Sequence, residues 1–320
     1  MTHRPTSTAL PALLPRRPGV GYVVYLTAAL LFALNGSVAK TLLLSGIEPA
    51  RLSQLRISAA FVLLLAFVAV TNRPALRIRR SEIPLLLGYG ILGVAGAQFL
   101  YFFAISRMNI GIALLIEFTA PILVALWFRF GRHQRLGGGV WVGMFLALVG
   151  LGLVAQVWQG STLALSGVLA AAGAAVALAI YYILGERGVR SEHPRDPVSM
   201  TMWAFGCATV AWAIAMPWWT FPWQSLTGDS SPFTGIDVTL PKPLLLVYMV
   251  ALGTVVAFWL SLSALRNISA TQASTVGMAE PVIAGTVAWI LLGETLTPVQ
   301  LAGGALVLVA IFLAERARAT

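Results

Sequence analysis

The sequence predicts an all-α membrane protein with ten transmembrane helices arranged as two inverted five-helix repeats, and three observations predict it. Of its 320 residues, 58% are hydrophobic and only 10% charged, with a mean hydropathy of +0.86, well outside the range of soluble globular chains. Apolar runs of about 20 residues, the length one bilayer crossing requires, recur along the whole chain. The chain also matches itself at a shift of 160 residues: Asn109 falls on Ser269, Ala113 on Ala273, Pro121 on Pro281, Gly143 on Gly303 and Leu148-Val149 on Leu308-Val309. Each half then holds five crossings, an odd number, so the second half enters the membrane with opposite orientation.

Taken in order, residues 1–19 carry four prolines, Arg4, Arg16 and Arg17 and no hydrophobic period, and read as a disordered cytoplasmic tail. The triplet Ser37-Val38-Ala39 resembles a leader cleavage site. The apolar run before it is too long for a secretory leader, so the segment is read as the first helix. The spans follow at 21–43, 52–71, 83–105, 110–129, 137–157, 164–184, 198–217, 244–264, 270–292 and 298–314. Residues 20–158 form the first repeat, 159–316 the second and 317–320 a short tail. Asp196-Pro197 and Thr297-Pro298-Val299-Gln300 are helix starts, with a capping side chain and proline at the first helical position; Asn109 and Ser269 are further caps.

The arginines set the orientation. With the N-terminus inside, the cytoplasmic side receives Arg73, Arg77, Arg79, Arg80, Arg129, Arg132, Arg135, Arg187, Arg190, Arg195, Arg266, Arg316 and Arg318, while the outer loops keep Arg51, Arg107 and Lys242. Both termini are therefore expected in the cytoplasm, in a multi-pass protein of the cytoplasmic membrane. The basic clusters lie between apolar segments, which is membrane topology and not a nucleic-acid surface. The outer stretch from about Pro217 to Pro243 has no helical period, and its Trp218, Trp219 and Trp223 read as an interfacial anchor.

Several chemistries are disfavoured. Gly88-Tyr89-Gly90-Ile91-Leu92-Gly93 matches a dinucleotide fingerprint, but it lies inside the third span without a preceding strand and reads as small-residue helix packing. No phosphate-binding loop with its lysine occurs, and His3, His133 and His193 fall outside the spans. Cys207 is the single cysteine. No cofactor or metal is expected.

The fourth span sets Glu117 and Pro121 four residues apart in apolar sequence. Proline has no N–H to give the carbonyl of residue 117, so an unserved acceptor stands beside a carboxylate, and both are costly in lipid. Glu280 is the second acid at membrane depth and precedes Pro281. By a rise of about 1.5 Å per residue, Glu117 lies roughly 10 Å below the outer end of its helix and Glu280 near the midplane. Lys40, Arg56, Gln98 and Tyr101 lie in the outer half, so cation, amide and carboxylate converge on one outward cavity. Arg56 either faces a substrate or pairs with Glu117; Lys40 either faces a substrate or snorkels to the interface. Asn35, Ser37 and Gln272 are further polar candidates, and Pro121 and Pro281 are candidate hinges at matching positions. Tyr181 and Tyr182 fall near the predicted inner end of the sixth span and read first as interface anchors.

Ser37-Val38-Ala39-Lys40, Leu55-Arg56, the run from Gly111 through Glu117 to Pro121, Glu280-Pro281 and Leu292-Gly293-Glu294-Thr295-Leu296-Thr297-Pro298 resemble segments of the drug/metabolite transporter superfamily. Within it, the chain is similar to the EamA branch and its bacterial threonine/homoserine exporters, over about residues 20–315. The resemblance implies the ten-helix inverted-repeat fold, a central cavity and export of amino acids or related small metabolites on an ion or substrate gradient. Two departures stand out: Asn35-Gly36 replaces a glycine pair, and Gly131-Arg132-His133-Gln134-Arg135 lacks the Gly-Glu signature of its repeat partner. The expected partners are a small-molecule substrate, a coupling proton and membrane lipid. Broad efflux of cationic drugs is the alternative within transport; a non-transporting structural protein is the alternative outside it.

Overall fold

The computed structural model describes residues 17–105, 107–108, 110–134, 136–158, 164–191, 193–230, 239–292 and 296–319. The expected cap Asn109, the loop residue Arg135 and the Gly293-Glu294-Thr295 signature lie outside them, as do the side chains of Ser37 and Lys40. The described chain is almost entirely helical. Eight helices are long and apolar enough to cross a membrane, and a shorter apolar helix spans Gly138–Val154. The remaining expected span, 270–292, is present as two helices meeting at a break.

The first repeat contains α1 (Pro18–Leu44) and α2 (Pro49–Thr71). Its third crossing is α3 (Ile83–Leu87), a π-helical stretch Gly88–Gly96 and α4 (Ala97–Ile105). The fourth is α5 (Ile110–Glu117), α6 (Ala120–Leu126) and a π-helical end Trp127–Gly131, and α7 (Gly138–Val154) is the fifth. The second repeat contains α8 (Leu165–Arg190) and α9 (Pro197–Ala215). Its third crossing is α10 (Lys242–Val250), a π-helical stretch Ala251–Val256 and α11 (Ala257–Ala264). Then come α12 (Ala270–Gly277), α13 (Glu280–Leu292) and α14 (Pro298–Ala319).

The starts follow the capping chemistry. The Asp196 carboxylate accepts from the Val198 and Ser199 amides, and Ser269 with Gln272 forms a reciprocal capping box. Thr297 pairs with Gln300 in the same manner, the Thr297 amide donating to Gln300 Oε1 at 2.9 Å.

The repeats interlock about a pseudo-two-fold. α1 packs against α11 and α13 of the second half, and α8 packs against α4, α5 and α6 of the first. α7 and α14 pair across the axis with small residues: a Cβ on Gly143 would sit 2.8 Å from the Ala310 carbonyl, and one on Gly303 would sit 2.7 Å from the Gly150 carbonyl. The shift of 160 carries the first contact onto the second, so the sequence repeat is also a spatial one. The fingerprint-like glycines serve packing as expected: a Cβ on Gly90 would meet Cys207 Cβ at 2.7 Å, and one on Gly93 would meet Tyr181 Cα at 3.1 Å.

The ends of the bundle are called inner and outer after the arginine bias. At the inner end, Arg195 ties the loop before α9 to the start of the third crossing. It donates to Glu82 Oε2 at 2.7 Å, to the Ala75 and Arg77 carbonyls at 2.9 and 3.1 Å, and to Ser199 Oγ at 3.1 Å. Burial pushes the Arg195 guanidinium below its ordinary pKa, and the Glu82 carboxylate opposes that shift. At the outer end, the described residues after α9 form an aromatic stack and a short strand pair. Trp218 stacks on Phe221 and Trp223, and Asp229–Ser230 pairs antiparallel with Leu240–Pro241. Trp219 is 85% exposed, as an interfacial anchor requires, whereas Trp218 is drawn into the aromatic stack.

The sixth span departs most from expectation. It runs to Arg190 instead of ending near residue 184, because its last turns are stabilised by an Arg190–Glu186 ion pair of 2.9 Å and by basic residues at a helix C-terminus. Tyr181 and Tyr182 are therefore roughly 12 Å inside the helix end and buried, and are not interface anchors.

Candidate functional site

Both halves carry a broken helix at the same repeat position. In the first, α5 stops at Glu117 and α6 resumes at Ala120. Pro121 cannot donate to the Glu117 carbonyl, and the turn tightens: the Thr119 amide and hydroxyl donate to the Ile116 carbonyl at 3.0 and 2.7 Å. In the second, α12 stops at Gly277 and α13 resumes at Glu280. There the Met278 amide donates to the Thr275 carbonyl at 3.1 Å and the Ala279 amide to the Val276 carbonyl at 3.0 Å. Pro121 and Pro281 thus mark real interruptions, and each acid stands at one: Glu117 closes the helix before its break, and Glu280 opens the helix after.

The two breaks adjoin: α12, which ends at the second break, packs against α6, which begins at the first, and against α8. Tyr25 of α1 and Tyr182 of α8 share a hydrogen bond of 2.5 Å, and Tyr181 donates to Ser261 Oγ at 3.1 Å while stacking on Tyr89 at a centroid distance of 5.2 Å. Four tyrosines from three crossings therefore form a buried layer on the inner side of the acids. Gly277, the repeat counterpart of Glu117, lies against this layer: a Cβ there would stand 2.8 Å from Tyr182 Oη and 2.9 Å from Tyr25 Oη. One half presents a carboxylate at its break, and the other presents a bare backbone touched by two phenols.

The sequence does not reveal this tyrosine layer: its one signal is the adjacent pair Tyr181-Tyr182, which reads as an interface pair until the length of α8 is known. The π-helical stretches Gly88–Gly96 and Ala251–Val256, which overlap under the same shift, were also not foreseen. They lie within the third crossing of each half, and Gly253 there accommodates Asn35: a Cβ on Gly253 would fall 2.3 Å from the Asn35 side chain.

The other candidates divide. Arg56 donates to Gln98 Oε1, which also accepts from Ser53 Oγ at 3.4 Å. The alternative pairing of Arg56 with Glu117 is not formed, because Gln98 holds the guanidinium from the neighbouring helix. Gln98 and Tyr101 lie three residues apart on one side of α4. Asn35 is 4% exposed, and its Oδ1 is buried without a protein partner. Gln272 is placed away from this cluster, at the inner start of α12. It completes the capping box and donates to Tyr22 Oη at 2.7 Å, which itself bonds Glu315. Its membrane-depth assignment gives way to a capping role, since the polar side chain serves orphan amides at a helix start. Lys40 lies on α1, with its side chain outside the described residues. Among the described residues, no group of three or more His, Cys, Asp or Glu side chains is arranged to hold a metal ion.

Comparisons with known proteins agree with this architecture. The family model described as "EamA-like transporter family" matches residues 19–156 and again 165–315, the two repeats. The threonine/homoserine exporter RhtA of Escherichia coli (strain K12) is 30% identical over 249 residues, covering 77% of this chain and 75% of that protein. The uncharacterized transporter YdfC of Bacillus subtilis (strain 168) is 26% identical over 263 residues, covering 82% and 80%. A probable amino-acid metabolite efflux pump of Salmonella typhimurium (strain LT2) is 27% identical over 257 residues, covering 78% and 83%. A solved crystal structure with 18% identity superposes with a TM-score of 0.74 over 94% of this chain and 98% of that one, a likeness of fold. A double match covering both halves, on a membrane fold of two repeats, places this chain in the EamA-like transporter family.

Proposed function

We propose that this transporter exports small amino acids or related small metabolites across the cytoplasmic membrane by alternating access, with both termini in the cytoplasm. One observation carries the reading: two carboxylates, Glu117 and Glu280, stand at the matched helix breaks, where α12 packs against α6. Acids at membrane depth are retained where they bind something positive. Here that partner is the substrate ammonium group or a coupling proton. Pro121 and Pro281 let the outer and inner parts of these crossings tilt independently as the repeats rock. The names of the relatives, an exporter of threonine and homoserine and an amino-acid metabolite efflux pump, support the same cargo class.

The acid and tyrosine lining also favours a second reading, efflux of organic cations, because phenol rings and carboxylates both attract positive charge. A metabolite-panel efflux assay, comparing cells with and without the protein under an imposed proton gradient, separates the two. Export of amino acids with resistance to toxic amino-acid analogues supports the first reading, and resistance to several unrelated toxic cations alone contradicts it.

A further inference from the structure

Two arginines stand five residues apart on α2, and their surroundings differ in kind. Arg51 is satisfied by the protein: its Nη1 donates to Gln54 Oε1 at 2.9 Å and to the Pro217 carbonyl at 3.1 Å, its Nη2 donates to Thr220 Oγ1 at 2.5 Å, and its guanidinium lies 6.0 Å from the Phe221 ring centre. Arg56 is not. Its Nη2 donates to Gln98, its Nε is buried without a partner, and among the described residues it makes no ion pair.

Gln98 cannot neutralise this charge. Its amide oxygen accepts from both Arg56 and Ser53, which fixes the amide orientation, because a flipped amide would set its NH2 against the Arg56 donor. The clamp orients the guanidinium and leaves its fork of planar donors incomplete. Arg56 is half-buried, with its Nε fully buried; a guanidinium at membrane depth without an anion is costly, and such a fork matches a carboxylate in bidentate geometry. Arg56 lies roughly 10 Å below the outer start of α2, and Glu117 roughly 10 Å below the outer start of α5, so the positive and negative groups share one level of the bundle.

We propose that Arg56 is the anion subsite of the transporter, receiving the carboxylate of a zwitterionic substrate, with Gln98 as the residue that positions it. The proposal rests on the amino-acid reading above and narrows it. A free carboxylate becomes a requirement, so amines, amino-acid amides and organic cations are rejected although the acids would attract them. Arg51 takes no part in selection and serves only the outer loop.

The test uses the purified full chain as wild type, Arg56→Gln, Gln98→Leu and Arg51→Gln. Thermal unfolding is measured with threonine, threonine amide or acetate, and labelled-threonine counterflow is measured in proteoliposomes. Threonine and acetate should raise the wild-type midpoint and threonine amide should not. Arg56→Gln should weaken threonine binding by about tenfold or more. Gln98→Leu keeps the charge but loses the clamp, and should raise KM severalfold with the maximal rate within about twofold. Arg51→Gln should lower the midpoint without changing the preference for threonine over its amide. The subsite is overturned, with the amino-acid reading intact, if threonine is transported and both the Arg56 and Gln98 variants keep wild-type affinity and preference. Acetate stabilisation lost in Arg56→Gln, without threonine flux in any protein, would uphold the subsite and remove the amino-acid reading. Absence of both flux and carboxylate-dependent stabilisation removes both.

Discussion

Gly277 shows how much one missing side chain decides. The shift that sets it opposite Glu117 was readable from the sequence, but the reason for a glycine was not: the space is taken by Tyr25 from α1 and Tyr182 from α8, 157 residues apart. Gly277→Ala should cost about 1–3 kcal/mol, because both hydroxyls must retreat within a packed layer. The same change in a Tyr182→Phe background should cost less, since one of the two obstructing atoms is gone. Thermal unfolding of the four proteins of this cycle checks the coupling, and strictly additive costs would count against the contact. Arg195 makes the complementary case for a satisfied charge. Arg195→Ala strips donors from Glu82, two carbonyls and Ser199, and should lower stability by about 1.5–3 kcal/mol, read as a lower unfolding midpoint in detergent.

At the scale of elements, legibility followed chemistry that is local in sequence. The spans, the caps at Asp196, Ser269 and Thr297 and the interruptions at Pro121 and Pro281 each depend on residues within one or two turns, so they could be read directly. The π-helical winding at Gly88–Gly96 and Ala251–Val256 could not, because an all-apolar run shows no periodicity that distinguishes one helical winding from another. Gln272 misled for a related reason: a glutamine three residues after a serine is the mark of a capping box, and that role outweighed its distance from charged sequence. The break at Met278–Ala279 gives a direct expectation. Pro281→Ala restores an N–H able to reach the Gly277 carbonyl, so it should join α12 to α13, raise the unfolding midpoint and slow transport by about tenfold or more. An unchanged transport rate would show that the break does not act as a hinge.

At the scale of the whole molecule, the pseudo-two-fold ties the parts together. α7 and α14 meet through Gly143 and Ala310 on one side of the axis and through Gly303 and Gly150 on the other. Gly143→Leu and Gly303→Leu should therefore destabilise by similar amounts, about 1–3 kcal/mol, while Gly138→Leu, with open space where its Cβ would lie, should be nearly neutral. Symmetry holds in this scaffold and is broken at the site, where the shift sets Gly277 opposite Glu117, Ala120 opposite Glu280 and Met216 opposite Arg56. That asymmetry, with acids at both helix breaks, is where transport chemistry is expected. Efflux of labelled threonine is measured from proteoliposomes containing wild type, Glu117→Gln, Glu280→Gln or the double variant, each checked for correct insertion. Wild type should transport, and the double variant should lose at least about 100-fold in rate. A correctly inserted double variant that transports threonine at the wild-type rate would contradict this expectation.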